Sequence, residues 1–495
     1  MVSATSSQVS TGSTAEHATV LFTEEDLVLF SSASGDRNPL HLSHFYARST
    51  AYGQPVVFGC LGAIACLGKI LLPDGWSARS IEAEFARPMF SNIEYRFETS
   101  QKDNKWRVRL FDGSAAVVSI TLTAELHREN PVPQQIAVAS SFERSEAVTR
   151  LEADIVPGLE VSGFYACNSR ALASLASRWG IADRFLLQLL CWSSYLVGME
   201  LPGESALFSR LVLNVDGRES PAAVMAYRAA VASVDSRFGQ VTIDVSLFND
   251  GWRVASGRLS SFMRSPVPRL DEIDSTQITP GRLAGRVAIL LGSSRGLGAS
   301  MQQALELRGA TVYGMARSEN TARRPQTEMG DAKDPGALRR LRDRVLEEHG
   351  RLDFLICNAC PPVLPLRLEE NAVERISDYI HEAVALALAP LAAFLELLNS
   401  SGGCVVMISS VYVDHPVKEF PHYVAAKQAV EMLGRVATLQ YRRVRTLIVR
   451  PPKLLTAMTN TPLGRVDAAS PALIANRVAA RLESPPEPGS TEILG

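Results

Sequence analysis

Apolar residues along this chain fall into three rhythms, and the places where the rhythm changes mark its organisation. Residues 22–33 begin with a cluster of acids and then space Leu27, Phe30 and their neighbours as on one helical face. That spacing predicts a short amphipathic helix. The polar stretch Ser34–His41 follows, and Asn38–Pro39 within it pushes Asn38 towards extended backbone, so a shaped loop is expected. Gly59–Leu72 is an unbroken apolar run with small residues Gly62, Ala63, Ala65 and Gly68, ended by Pro73-Asp74-Gly75. It reads as a helix buried on nearly all sides. Alternation then takes over at Ser80–Phe85, Ile93–Thr99, Trp106–Phe111 and Ala116–Leu126, with a hairpin at Asp112–Gly113.

The same grammar returns after Pro131-Val132-Pro133. Phe185–Leu201 is again an apolar helix, closed by Pro202–Gly203 as Pro73-Asp74-Gly75 closes the first. Strand-like runs follow at Leu207–Val215, Ala222–Val234, Val241–Phe248 and Trp252–Phe262, the last pair split by Asn249-Asp250-Gly251. An internal duplication of about 130 residues is the simplest reading. Beyond the proline- and acid-containing stretch 266–279 the pattern changes again. Arg286–Leu291 is a continuous apolar strand leading to Gly292, Gly296 and Gly298, a helix to about Arg308, and a second strand Thr311–Ala316. This is a βαβ unit with a glycine-rich turn, where backbone approaches a pyrophosphate at a helix N-terminus.

These changes divide the chain into a polar Ser/Thr-rich tail at 1–18, a first repeat at 19–130 and a second at 145–265. A linker at 266–281 and a nucleotide-binding block at 282–495 complete it. The fold class expected is an α+β pair of helix-wrapping antiparallel sheets followed by an α/β doubly wound parallel sheet.

Composition adds little and excludes some classes. The 50 Lys+Arg against 52 Asp+Glu leave a net charge of −2, so neither nucleic acid nor an anionic membrane is an expected partner. The runs Val56–Leu72 and Phe185–Leu201 are shorter than a clean membrane span and carry Lys69 and Gln188. Seven cysteines, mostly within apolar runs, fit buried thiols in a reducing cytoplasm, and Cys357–Cys360 reads as two such thiols. The histidines have no metal-ligand spacing, so no metal is expected.

The chemistry sits in two places. Asp36 and His41 are an acid and an imidazole fixed by one loop, as general acid–base catalysis requires. The stretch Ser34-Gly35-Asp36-x-Asn38-Pro39-Leu40-His41, continuing to Ala47 and to Val57-Phe58-Gly59, resembles the MaoC-like family of R-specific enoyl-thioester hydratases and 3-hydroxyacyl dehydratases, as does Phe85-x-Arg87-Pro88. The resemblance implies a hot-dog fold in each repeat. It implies that Asp36 and His41 hold the catalytic water and shuttle the α-proton, with the Gly59 N–H as oxyanion donor and Asn38 as a brace. The second repeat has no Asp-x-Asn-Pro-x-His and is expected to be non-catalytic. Phe58 stands where the family has His, and Ser91–Asn92 where it has Gly-Asp.

The second place is in the nucleotide-binding block. Gly292-x3-Gly296-x-Gly298, Cys357-Asn358-Ala359-Cys360, Ser410 and Tyr423-x3-Lys427 together resemble the short-chain dehydrogenase/reductase family. Helical spacing puts Tyr423 and Lys427 on one face, so the ammonium is expected to lower the phenol's pKa. By the resemblance Ser410, Tyr423 and Lys427 are catalytic, and Gly292, Ser294, Arg295, Gly296, Leu297, Gly298, Asp331, Asn358, Ala359 and Thr456 bind the cofactor with Tyr423 and Lys427. Arg295 and Arg317 can face a 2′-phosphate while no carboxylate ends the second strand, which favours NADPH over NADH. Leu291 and Pro452 depart from the family pattern, and Glu382 falls close to the place of its usual Asn and could take over the proton relay. The apolar helix Ala383–Leu398 resembles the pairing helix of such reductases, implying a homodimer or homotetramer.

Joined, the two resemblances imply a ketoreductase/dehydratase on acyl-carrier-protein or CoA thioesters in fatty-acid or polyketide-like biosynthesis. Two alternatives stay open: a dehydratase with a scaffold reductase domain, or a reductase with inert carrier-docking hot-dog domains.

Overall fold

The computed structural model describes residues 18–126, 132–133, 146–216, 224–266, 273, 278–317, 326–461 and 464–495. The tail read over 1–18, apart from its last residue, lies outside them, as do most of the stretch 131–144 and much of the linker 266–281. The chain divides into two units: Met1–Leu42 with Pro55–Met263, and Ser43–Gln54 with Arg264–Gly495.

The N-terminal unit begins with strand β1 (Thr19–Leu21) and helix α1 (Glu24–Ser34). Thr23 caps α1 reciprocally with Asp26, each side chain accepting the other's backbone N–H. Gly35, at φ 72°, then takes the left-handed cap that a Cβ would strain. The expected shaped loop shrinks to residues 35–38. Pro39 opens the short helix α2 (Pro39–Leu42), so His41 rides on a helical turn. Helix α3 (His44–Arg48) follows and belongs to the C-terminal unit.

Helix α4 (Gly59–Leu67) is five residues shorter than the apolar run suggested. A Cβ at Gly68 would lie 2.0 Å from the Trp179 carbonyl oxygen, so another segment crosses where the helix would continue. Strands β2 (Trp76–Phe85), β3 (Glu94–Lys102), β4 (Lys105–Asp112) and β5 (Ala115–Leu126) match the alternating runs, and the two-residue β6 (Val132–Pro133) follows. Then come β7 (Glu160–Ala166) and α5 (Ser169–Trp179), which lie between the expected elements. Helix α6 (Arg184–Tyr195) runs into a π-helical turn at Leu196–Glu200. Strands β8 (Ala206–Val215), β9 (Val224–Asp235), β10 (Gln240–Asn249) and β11 (Trp252–Met263) close the unit.

All these strands join one antiparallel sheet in the order β1-β3-β4-β5-β2-β8-β11-β10-β9-β7, with β6 beside β11. The opening strands β2 and β8 lie side by side (Ile81 against Leu213), each flanked by the last strand of its own set, β5 or β11. The two strand sets thus mirror each other across the β2–β8 pair. Helices α4 and α6 pack into a shared core that includes Leu61, Ile64, Leu187, Leu190 and Trp192.

The C-terminal unit is built on a seven-stranded sheet in which every pairing is parallel. Its elements in chain order are β12 (Val287–Leu291), α7 (Gly296–Glu306), β13 (Thr311–Ala316), β14 (Thr327–Met329), α8 (Pro335–His349), β15 (Phe354–Cys357) and α9 (Val373–Ser401). The rest are β16 (Cys404–Ile408), α10 (Pro421–Gln440), β17 (Arg445–Val449), α11 (Pro471–Glu483) and β18 (Thr491–Leu494). The strand order is β14-β13-β12-β15-β16-β17-β18. The reversal between β12 and β15 is the switch point where open α/β sheets take ligands. One face is covered through Leu341, Phe394, Leu398 and Val430, the other through Met301, Leu305, Ile474 and Val478. Covering both faces explains the unbroken apolar strands. Helix α9 is long and apolar enough to cross a membrane by length and composition alone, yet Phe394 and Leu398 are fully buried on the sheet.

Candidate active sites

Asp36 sits just beyond the left-handed Gly35 and is 2% exposed. Its Oδ1 accepts the Asn38 N–H at 3.0 Å and its Oδ2 accepts the Ser194 hydroxyl at 2.7 Å. Burial pushes the carboxyl up to about 6, against the opposing hydrogen bonds from Ser194 and Asn38. The second repeat forms much of this environment. Gly198, in the π-helical turn, passes so close that a Cβ would lie 2.7 Å from both carboxylate oxygens. The Asn38 amide donates to the Gly198 and Glu204 carbonyls at 3.0 and 3.1 Å. The Tyr165 hydroxyl donates to the Ser34 carbonyl at 3.0 Å. The repeat without its own Asp–His pair thus holds the loop of the repeat that has one. Its place beside Ser193 in a mostly apolar helix was the sequence signal for Ser194.

His41 places Nδ1 2.6 Å from the Val56 carbonyl oxygen, so neutral imidazole donates there and carries its lone pair on Nε2. Its ring stacks on Phe58 with centroids 3.9 Å apart, and Phe58 packs on Phe30 at 4.6 Å. Phe58 is therefore a platform for the histidine. Gly59 is the first residue of α4, where the N–H has no acceptor within the helix. A Cβ there would meet the Phe85 ring at 2.9 Å. Burial and the nearby Asp36 carboxylate push the Cys60 thiol well up, which keeps it unreactive.

In the C-terminal unit the strand–turn–helix context is present. Gly292 and Gly296 have φ of 76° and 54°, and a Cβ at Gly298 would lie 1.9 Å from the Gly292 carbonyl oxygen. The Asn358 amide donates to that same carbonyl at 2.9 Å, tying the end of β15 to the turn. A Cβ at Gly292 would meet the Ala359 backbone at 3.0 Å, and one at Gly296 the Thr456 methyl at 3.2 Å. Leu297 is buried, whereas Ser294 and Arg295 are exposed on the turn. Gly292–Gly298, Asn358, Ala359 and Thr456 therefore converge on one cradle, and its glycines and first-turn amides suit a dinucleotide's phosphates. Arg317 lies exposed just past β13. Asp331 accepts the Lys333 N–H at 2.9 Å and faces its ammonium at 3.9 Å.

The structure brings Ser410, Tyr423 and Lys427 together. Ser410 hydrogen-bonds Tyr423, and the Lys427 ammonium lies 5.5 Å from the Tyr423 ring centroid. Lys427 also donates to the Ile408 carbonyl at 2.8 Å. The Lys427 ammonium lowers the phenol's pKa as expected, but burial outweighs it. Burial pushes Tyr423 up, and the Lys427 ammonium and Ser410 pull against it without reversing the direction. Burial also opposes the charge on Lys427, but Cys360, Tyr423 and Cys357 around it carry the balance upward. Glu382, expected near the relay, is ion-paired with Lys333 at 3.2 Å. Sequence reasoning missed Tyr379 on α9, whose hydroxyl lies 3.4 Å from the Cys360 sulfur and whose ring meets His422 edge-on at 4.5 Å. Cys357 and Cys360 are both free thiols.

Comparison with known proteins finds both families. The model of the MaoC like domain matches residues 6–121, and that of the short chain dehydrogenase matches residues 286–463. An uncharacterized oxidoreductase of Mycobacterium tuberculosis is 29% identical over 190 residues, covering 36% of this chain and 72% of that protein. L-fucose dehydrogenase of Rattus norvegicus is 28% identical over 190 residues, covering 36% and 69%. Among solved structures, an alcohol dehydrogenase from the archaeon Thermococcus sibiricus, complexed with 5-hydroxy-NADP, is 25% identical with a TM-score of 0.38, covering 42% of this chain and 95% of that one. The chain thus carries a MaoC-like domain and a short-chain dehydrogenase domain in a single polypeptide.

Proposed function

We propose that this is a bifunctional ketoreductase/dehydratase that uses NADPH and acts on 3-ketoacyl and 3-hydroxyacyl thioesters carried by acyl carrier protein or CoA, in fatty-acid or polyketide-like biosynthesis. What carries the reading is the presence, on one chain, of the buried Asp36 carboxyl held by Ser194 and of the Ser410–Tyr423–Lys427 cluster. The paired sheet sets around α4 and α6 are read as a double hot dog.

In the dehydratase, His41 Nε2 takes the α-proton and the Gly59 N–H stabilises the thioester enolate. Asp36, with a carboxyl near 6, returns a proton to the leaving hydroxyl, so that water departs and the enoyl thioester forms. In the reductase, Tyr423 protonates the carbonyl oxygen that Ser410 polarises, and Lys427 holds its charge beside the phenol. Bound NADPH would supply the hydride. Arg295 and Arg317 support the choice of the 2′-phosphorylated cofactor. Met432, Val436 and Leu439 form an exposed apolar stripe on α10, and Leu388 of α9 is exposed as well, which supports pairing into a homodimer or homotetramer. Seven free cysteines support a cytoplasmic setting.

Mass spectrometry of a 3-ketoacyl thioester incubated with enzyme and NADPH tests the whole sequence. The expected products are the hydroxyacyl and then the enoyl thioester. No hydroxyacyl product from the ketone eliminates the reductase, and no enoyl product from the hydroxyacyl thioester eliminates the dehydratase. Ser194→Ala checks the carboxyl's environment. The lost hydrogen bond favoured the charged form, so the apparent pKa that Asp36 gives the dehydratase pH–rate profile is expected to move above about 6.

A further inference from the structure

The segment Ser43–Gln54 belongs to the C-terminal unit, although more than two hundred residues separate it from the rest of that unit and it lies outside the dehydrogenase match at 286–463. It is a built piece of structure. Ser43 caps α3 by accepting the Tyr46 N–H at 3.2 Å, and the Ser49 and Thr50 hydroxyls donate to the Tyr46 and Ala47 carbonyls at 2.6 and 2.7 Å. Ala47 and Thr50 are buried. Arg264 donates to the Tyr46 hydroxyl at 3.0 Å and lies 5.3 Å over its ring. At the other end, Gly53 packs so tightly on Pro362 that a Cβ would sit 2.6 Å from the proline's own.

Between these anchors the Arg295 guanidinium donates to the backbone carbonyl of Arg48. That contact fixes the last residue of α3 beside the glycine turn. The Arg48 side chain is exposed there, as are those of Arg295 and Arg317. Among the described residues none of the three arginines is ion-paired with a carboxylate. Burial and the like charges of Arg317 and Arg48 depress the Arg295 guanidinium. Cations that converge without a counter-ion repel one another until a multiply charged anion joins them. A phosphate monoester meets that need, with oxygens enough for several guanidinium donors.

We propose that Arg48, supplied by this distant segment, is a third cation for the cofactor's 2′-phosphate and helps set the preference for NADPH over NADH. The proposal rests on the NADPH reading above. Because the Arg295 contact uses the backbone carbonyl, Arg48→Ala removes the charge and leaves that hydrogen bond possible.

Calorimetry on the full chain with adenosine 2′,5′-bisphosphate and with 5′-AMP, which lacks the 2′-phosphate, tests it. Arg48→Ala is expected to weaken the bisphosphate about tenfold, as one charge-assisted contact warrants, and to leave 5′-AMP nearly unchanged. Arg48→Lys should recover part of the loss. If Arg48→Ala keeps wild-type discrimination between the probes, the role of Arg48 is overturned while the NADPH reading stands. If it weakens both probes equally, Arg48 is structural and the proposal also fails. A wild-type protein that binds both probes equally overturns the NADPH reading and this proposal with it.

Discussion

Asp36→Asn is expected to abolish dehydration without unfolding the protein, and at neutral pH to make it more stable. A positioned acid–base group contributes about a hundred- to ten-thousand-fold, so interconversion of enoyl and hydroxyacyl thioesters should fall by that factor. Stability moves the other way because the carboxyl titrates near 6 when folded and near 3.8 as a free side chain. The folded state keeps this proton where the unfolded chain has lost it. Stability is therefore lost as pH rises from about 4 through about 6, and the cost is complete above that window. At ~1.4 kcal/mol per pH unit the gap corresponds to at most about 3 kcal/mol. Asparagine carries no charge and escapes this cost, still accepting the Asn38 N–H through Oδ1 while the Ser194 hydroxyl turns to accept. Thermal melts of wild type and variant at pH 8 and pH 4 check the sign. The variant should melt higher at pH 8, and its advantage should vanish at pH 4. A variant that melts lower at both would mean that the carboxylate stabilises the loop.

Tyr423→Phe is expected to remove ketone reduction by about a thousandfold or more while leaving dehydration intact. The phenyl ring fills the same space, and Lys427 keeps its hydrogen bond to the Ile408 carbonyl. Nicotinamide binding should thus survive, which separates lost chemistry from a lost site. The buried phenol titrates above its ordinary range and is held protonated, as a proton donor to a carbonyl must be. The measurement is NADPH consumption with a 3-ketoacyl thioester, beside hydration of the enoyl thioester by the same preparation. Residual reduction within tenfold of wild type would displace Tyr423 from the proton-donor role.

Much of this was legible in the chain. Alternation found the strands of both sheet sets because one face of each strand is buried, and turn residues such as Asp112–Gly113 ended them. One expectation failed because of a contact from far away. The apolar run after Gly59 stops being helix at Gly68 because the Trp179 carbonyl crosses there. The α5 stripe of Leu172, Leu175 and Ala176 has the spacing of a helix face, with Asn168 capping its start and Gly180 its end, so this helix was legible locally even though no element was expected there. The lowering that Lys427 exerts on Tyr423 was legible from helical spacing, whereas the burial that outweighs it is a property of everything packed around the phenol.

The two chemistries were fixed locally, because each motif is a few residues whose spacing along loop, strand or helix sets its own geometry: Asp36 to His41, Gly292 to Gly298, Tyr423 to Lys427. Their environments were decided only by tertiary structure. Ser194 and Gly198 reach Asp36 across about 160 residues of chain, and Arg48 reaches Arg295 across 247. Hydrogen bonding, desolvation and charge repulsion act through space and ignore sequence separation. Among the described residues, the carboxyl of Asp36 near 6 and the trio of arginines without a carboxylate partner are therefore products of the fold, while the two family resemblances were already written in the motifs.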